Sequence, residues 1–434
     1  MKKFLIIIFF QLYLCANALP INIDFFKCFN DIYLEKYIQE ALENNHDLKQ
    51  VNHKVEQYRY EISSQFSQQL PSLSVSSNYL GASPPKGDSN IFINRNSYIL
   101  PFRVNYEPDF LLKNRDKTLS KKKLYQASLA NEKSAYISLV SDVANTYINI
   151  LLYDYLIEKQ IEIVKDKELN KDFNQNKYNF GTISFIDLND IFSELNSQKI
   201  VLERLIRQQK TNLYNFSVLI GKSAYDSENI LRGKLENFEY QKEIPDKINS
   251  DLIYSRPDLI EIENMLKSAK IDVRVAKKEF LPSFNVIGFL AFDTAGGGNF
   301  FSWDSSFAYL IAGLSQDIFK GGYKIANLKI KKARYMELLE KYLQADLNAI
   351  KEINNALNLI KQDTLAQNYS KEQTDLEYKN FLASKRKLSA GTISKIDYLK
   401  NKNSLNQKYQ LFAYTKANKL NDYFALYKAL GGQL

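Results

Sequence analysis

The sequence predicts a mainly α-helical chain with a smaller β portion suited to a membrane barrel, built as two copies of one unit: a strand pair followed by two long helices. Three observations predict it. Short motifs recur in the same order at a nearly constant offset. Proline is missing from two long stretches that glycine punctuates at matched places. Each copy also carries two strand-length segments between its helices, and those of the first copy alternate clearly.

The recurrence comes first, because a repeat changes how everything else is read. Gly181-Thr182-Ile183-Ser184-Phe185-Ile186-Asp187 returns as Gly391-Thr392-Ile393-Ser394-Lys395-Ile396-Asp397. Ile220-Gly221 returns as Leu430-Gly431, Asp47-Leu48 as Asp258-Leu259, and Leu70-Pro71-Ser72 as Leu281-Pro282-Ser283. The order is kept, and the expectation is a tandem duplication. Residues 19–230 form the first repeat, 231–250 a linker and 251–434 the second repeat.

The helices follow from punctuation. No proline stands between Pro108 and Pro245, or after Pro282. Proline breaks helix interiors, so long helices are permitted there. Gly181, Gly221, Gly391 and Gly431 mark helix ends, where glycine takes the left-handed conformation that other residues resist. The expected helices cover about 115–179, 184–220, 323–388 and 394–430. The longest would run on the order of 95 Å at 1.5 Å per residue. Tyr136, Val140, Val143, Tyr147 and Ile150 step by four and three, as do Leu188, Ile191, Leu195, Leu202 and Leu205 with one gap. That spacing fits coiled-coil packing. Asn354 interrupts it between Ile350 and Leu357. Shorter amphipathic helices are expected over about 31–68 and 251–279.

The strands are expected at about 72–80 and 98–106, then 284–292 and 307–315. In the first pair Leu73, Val75 and Tyr79 alternate with Ser72, Ser74 and Asn78. Tyr98, Leu100, Phe102, Val104 and Tyr106 alternate with Pro101, Arg103, Asn105 and Glu107. This is period-two patterning with one apolar face. The second pair is more evenly apolar, and its faces cannot be told apart. The length suits a tilted membrane strand. Four strands do not close a membrane barrel, and open edges are not tolerated in lipid. If these strands lie in a membrane, several chains must share one barrel.

The N-terminus points to export. Lys2 and Lys3 precede an apolar run from Phe4 to Leu14, and Ala16-Asn17-Ala18 offers a cleavage site, so residues 1–18 read as a signal peptide. Cys15 follows Leu14, where a lipidation signal needs a small residue, so plain cleavage after Ala18 is expected. Cys28 then has no partner for a disulfide. No later segment is apolar for long enough to be a membrane helix. The net charge is +9, but the lysines are interleaved with Glu and Asp along the helices. That describes solvated helix faces rather than a nucleic-acid surface.

Arg256-Pro257-Asp258-Leu259, Leu281-Pro282-Ser283-Phe284, Asp317-Ile318-Phe319-Lys320-Gly321-Gly322, the two Gly-Thr-Ile-Ser-x-Ile-Asp turns and Ala429-Leu430-Gly431-Gly432 together resemble the TolC-like outer-membrane efflux protein family, over nearly the whole mature chain. The resemblance implies a homotrimer with a twelve-stranded β-barrel in outer-membrane lipid and a periplasmic α-helical barrel. It implies a passive exit duct for drugs or other small molecules. An inner-membrane pump, of the resistance–nodulation–division type, would drive it through a periplasmic adaptor. Type I protein secretion and metal-ion efflux are alternatives with the same fold. An exported coiled-coil adhesin or structural protein is an alternative of another class. One departure is Leu112, in Asp109-Phe110-Leu111-Leu112-Lys113, where relatives often have glycine.

The two matched turns are the candidate site. Helix capping alone would account for them: Gly181 and Gly391 end one helix, Ser184 and Ser394 cap the next, and Asp187 and Asp397 sit where a capping-box partner belongs. The resemblance implies more. Phe180, Gly181, Thr182 and Ser184, with Ala390, Gly391, Thr392 and Ser394, would meet the adaptor. Asp397 would be a gate carboxylate, forming a mixed-sign ring with Lys400 and with Asp187 or Asp190. No catalytic constellation, cofactor motif or metal site is expected. His46 and His53 lack nearby ligands, and Gly296-Gly297-Gly298 lacks the lysine and helix of a phosphate cradle.

Overall fold

The computed structural model describes residues 21–29, 31–81, 96–242, 251–295 and 302–433. The expected signal peptide, Cys15 and the Gly296–Gly298 run lie outside them. The elements, in order, are α1 (Asp24–Lys27), α2 (Ile32–Asn44), α3 (His46–Ser67), β1 (Ser72–Val75), β2 (Asn78–Gly81), β3 (Asn96–Tyr106), α4 (Lys113–Asn179), α5 (Phe185–Leu219), α6 (Asp251–Tyr254), α7 (Pro257–Lys278), β4 (Ser283–Ala295), β5 (Ser306–Ser315), α8 (Tyr323–Ser389) and α9 (Lys395–Ala429). Among the described residues, no helix is long and apolar enough to cross a membrane.

The four long helices end within two residues of the expected positions. Two shorter ones break where one helix each was expected. Asn45 takes an extended conformation and separates α2 from α3. Its carboxamide donates to the Leu219 carbonyl at 2.9 Å and accepts the Leu48 N–H at 2.9 Å, so it caps the new helix. Pro257 opens α7, and the residue before a proline is pushed out of helical geometry.

The chain falls into two compact units: Met1–Lys49, Lys133–Ile253 and Ala349–Leu434, and then Gln50–Glu132 and Tyr254–Asn348. Each draws on both sequence repeats. The first unit is helical. Its core joins Leu34 and Ile38 of α2 with Val140, Val143, Tyr147 and Ile150 of α4, Phe216 of α5 and Phe424 of α9. Helix α1, not foreseen, inserts aromatic rings into this core. Phe25 stacks on Tyr427 at 4.8 Å and Phe26 on Phe424 at 5.9 Å. Full burial of such rings stabilises by roughly 1.5–3 kcal/mol each. Residues 231–242, read as the start of a linker, are packed: Leu235 and Phe238 are buried. Arg232 pairs with Asp154, and the Lys416 amine donates to the Glu236 carbonyl at 2.8 Å. In α8 the buried line is Ala349, Ile353 and Ala356. Asn354 is exposed beside it, so the apolar stripe is not interrupted but shifted by one position.

The second unit holds the sheet. Its strands are all antiparallel, in the order β1–β3–β4–β5, with β2 following β1 along the same side of β3. The expected first strand is split because Ser76 faces Pro101. Proline offers no N–H to the ladder, and only the bond from Ser76 N–H to the Pro101 carbonyl remains, at 3.2 Å. Register assigns the faces that composition left open, since paired residues share a face. Leu73, Val104, Gly288 and Leu310 align across the sheet, as do Val75, Phe102, Leu290 and Ala308. That face is apolar. The other carries Ser74, Arg103, Asn105 and Asn285 together with Phe289 and Tyr309. There Phe289 and Tyr309 stack at 4.7 Å, with the Arg103 guanidinium 5.9 Å from the Phe289 ring. Elsewhere in the unit, buried Asp116 is held by Arg274 at 2.6 Å and Lys278 at 2.7 Å. Leu112 adopts a φ of +57°, the left-handed conformation of Gly321 at +55°. The turn keeps its geometry and accepts the strain of a side chain there.

Candidate functional site: the two helical-hairpin turns

Both turns are built the same way. At the first, Gly181 (φ +72°) donates its N–H to the Tyr178 carbonyl at 2.8 Å, and Thr182 donates to Lys177 at 2.9 Å. At the second, Gly391 (φ +70°) donates to Leu388 at 3.0 Å, and Thr392 to Lys387 at 2.9 Å. This bond pair closes a helix with glycine in the left-handed region. The threonine hydroxyls add a second bond to the same carbonyls, at 2.8 and 3.0 Å. The next helix then begins on a serine cap. The Asp187 N–H donates to the Ser184 hydroxyl oxygen at 3.1 Å, and Asp397 does the same to Ser394 at 3.1 Å. Each hydroxyl donates in turn to its aspartate, at 2.7 Å. At the first turn the Ser184 N–H also reaches Asp187, at 3.1 Å, completing a capping box.

The turns differ in surface and charge. Phe180 is 82% exposed, Ile186 71% and Phe185 61%. Their counterparts are Ala390, Ile396 and Lys395, and Ile396 is half-buried. Phe185 and Ile186 were not singled out from the sequence; the mismatch of Phe185 with Lys395 is the signal that would have found the first, whereas Ile186 and Ile396 are identical and their different exposure left no signal. Gly181, Thr182, Ser184, Gly391, Thr392 and Ser394 are exposed.

Hydrogen bonding by Ser184 holds the Asp187 carboxyl below the usual range. Asp397 is lowered first by the Ser394 hydroxyl, then by the Ser394 backbone, and further by Lys400 and Lys177. Lys400 is thus one of the charges near Asp397. Lys177, in the last turn of α4, is a second neighbour that sequence reading missed. It stands 220 positions earlier and becomes a neighbour only through folding. Asp190 is exposed on α5. Further along the hairpins, Lys402 reaches the nearly buried Asp166 at 3.0 Å, tying α9 to α4.

A sheet apolar on one face whose two edges are unpaired among the described residues, in a chain whose longest helices form capped hairpins, is the fold of an outer-membrane channel protomer. The chain belongs to the outer membrane efflux protein family, whose model matches residues 37–222 and 249–432. Among its relatives is the cation efflux system protein CusC of Escherichia coli O157:H7, 23% identical over 93% of this chain and 87% of that protein. The antibiotic efflux pump outer membrane protein ArpC of Pseudomonas putida is 24% identical over 93% and 84%. The crystal structure of the Campylobacter jejuni CmeC outer membrane channel superposes with a TM-score of 0.86 at 23% identity, covering 95% of this chain and 88% of that one. This chain is an outer-membrane component of an efflux pump, a passive channel rather than an enzyme, with a long periplasmic portion.

Proposed function

We propose that three copies of this chain form the exit duct of a drug or small-molecule efflux pump, with the two capped turns serving as both gate and adaptor-docking surface. The observation that carries the trimer is the sheet order. β1 with β2 lies at one edge and β5 at the other, each with one side unpaired among the described residues. A membrane barrel cannot keep such edges. Three sheets of four strand positions would close twelve strands, pairing β5 of one copy with β1 and β2 of the next. The inner-membrane pump is of the resistance–nodulation–division type and acts through a periplasmic adaptor. The chain reads as a tandem duplication, residues 19–230 and 251–434, which gives six helical hairpins per trimer.

Three-fold assembly would gather Asp397 and Lys400 into a mixed-sign ring, with Asp187 or Asp190 as partners. Charged constrictions set ion selectivity and the stability of a closed state. The adaptor would meet Phe180, Gly181, Thr182 and Ser184 at one turn and Ala390, Gly391, Thr392 and Ser394 at the other. Conductance of the purified protein in planar bilayers tests the gate. Asp397→Ala and Lys400→Ala should raise conductance and alter cation preference; unchanged values would remove these residues from the gate. CusC, whose name assigns it cations, supports a second reading for cargo. Drug and metal susceptibility of an efflux-deficient host carrying this chain with its own adaptor and pump separates the two.

A further inference from the structure

We propose that a cavity where the strands meet the helices is a seat for a zwitterionic aminophospholipid of the proximal membrane leaflet. It has a volume of about 460 Å³ and lies within the second unit, between the turns 107–113, 278–284 and 314–324. Phe284 and Leu314, both on the apolar face of the sheet and paired with each other, contribute to its wall. Phe110 packs on Phe284 with ring centroids 5.6 Å apart. The cavity therefore continues the face that register marks as apolar.

The turns on either side of it are alike: an aspartate, then three apolar residues in Asp109-Phe110-Leu111-Leu112-Lys113 and two in Asp317-Ile318-Phe319-Lys320, then a lysine. In Asp317-Ile318-Phe319-Lys320, Ile318 is 99% exposed and Phe319 86%. In Asp109-Phe110-Leu111, the ring of Phe110 is exposed as well. The aspartates are engaged locally. Asp109 accepts the N–H groups of Asn114 and Arg115 at 3.1 and 2.7 Å. Asp317 is shared by Lys320 at 2.7 Å and Lys324 at 3.3 Å. Apolar tips with lysines just behind them suit the boundary between acyl chains and headgroups.

Charge selects the headgroup. Four lysines (Lys113, Lys278, Lys320 and Lys324) and four carboxylates (Glu107, Asp109, Glu279 and Asp317) line the wall, so it has no net charge to attract an anionic lipid. Lys113 is paired with Glu107 and Lys278 with Asp116, and two amines share Asp317, so the Lys320–Lys324 pair is the one placed to take a phosphodiester. Glu279, in the same wall, acts on Lys320 and is otherwise bonded to the neutral Asn327 carboxamide at 3.1 Å. It offers a carboxylate to a primary ammonium. A lipid bearing both groups leaves neither charge uncompensated, whereas an anionic lipid would leave Glu279 opposed. The inference rests on the strands lying in the membrane.

Fluorescence depth measurement tests it on the full-length protein in vesicles. In a Trp303→Phe background, Phe319→Trp reports the turn and Leu290→Trp reports the apolar strand face. The vesicles contain phosphatidylethanolamine and phospholipids brominated near the headgroup or near the chain ends. Phe319→Trp should be quenched about twofold more by shallow than by deep bromines, as befits a side chain at the headgroup–acyl boundary. Quenching of Leu290→Trp but not Phe319→Trp overturns the seat while keeping the membrane placement, and is the result expected if another copy covers the turn. Quenching of neither overturns both. Native mass spectrometry then reads the headgroup. Lys320→Gln with Lys324→Gln should lower retained phosphatidylethanolamine about tenfold, for lost charge-assisted bonds. Glu279→Gln should erase the preference over phosphatidylcholine and phosphatidylglycerol. Equal retention of all three lipids by the unaltered protein, or no loss in the lysine variant, overturns the headgroup assignment.

Discussion

The turn after α4 and the turn after α8 share a backbone and differ in the apolar and charged side chains they show to solvent. Both close on glycine at nearly the same φ, and both reopen on a serine bonded to an aspartate. Around that frame, the first turn presents Phe180, Phe185 and Ile186, while the second presents Ala390, Lys395 and a half-buried Ile396. The residues that recur are those the chain reversal requires. The residues that differ are free of that requirement and are available for recognition. We propose from the comparison that adhesion falls to the first turn and charge to the second.

The largest expected effect comes from exchanging surfaces while keeping the frame. Phe180→Ala with Phe185→Lys gives the first turn the outward residues of the second. Exposed aromatic anchors can each carry 2 kcal/mol or more of an interface, so adaptor affinity should fall by about 30-fold or more. Lys395→Phe at the second turn should change it by less than about threefold, as expected of residues outside a hot spot. Biolayer interferometry with the cognate adaptor measures both. Equal losses at the two turns would break the assignment.

Next are changes to the shared frame, which should act alike at both turns. Open space surrounds Gly181 and Gly391, so a new side chain meets only the left-handed backbone. Gly181→Val and Gly391→Val should each cost about 1–2 kcal/mol of local stability. Ser184→Ala and Ser394→Ala should cost about 1 kcal/mol each. Hydrogen exchange at the amides of Thr182, Asp187, Thr392 and Asp397 reads these losses. A marked difference between the two turns would mean that packing beyond the frame supports one of them.

The same distinction explains what the sequence disclosed. Glycine and proline act locally, so the long helices could be bounded from punctuation alone. The matched turns were legible because duplication displayed the frame twice. The faces of β4 and β5 were not. Phe289, Ala291 and Ile311 are apolar on one face, Leu290, Phe292 and Leu310 on the other, and only pairing with β3 distinguishes them. Helix α1 was missed because four residues carry no periodicity and their partner Tyr427 lies 402 residues beyond Phe25. The buried line of α8 was placed one position off because two of its members are alanines, Ala349 and Ala356, beside the larger but more exposed Ile350 and Leu357. Lys177 escaped notice for the reason α1 did: its relation to Asp397 exists only in the folded hairpins.

The smallest expected effect sharpens the charge half of the comparison. Both aspartates are depressed, so the stabilisation each contributes is complete above the unfolded carboxyl value, roughly 3.9, and is lost as pH falls through the lower folded value. Their causes differ. Asp187 owes its shift to Ser184, whereas Asp397 also responds to Lys400 and Lys177. Lys400→Gln should therefore raise the Asp397 value toward its ordinary one and leave Asp187 where it is. Side-chain carboxyl titration by NMR in a selectively labelled protein resolves the two. Salt should mimic the substitution at Asp397 alone, because screening weakens exposed ion pairs and spares a hydroxyl hydrogen bond. If Asp187 and Asp397 respond equally to salt, the lysines contribute nothing specific, and the asymmetry between the turns reduces to the apolar surface of the first.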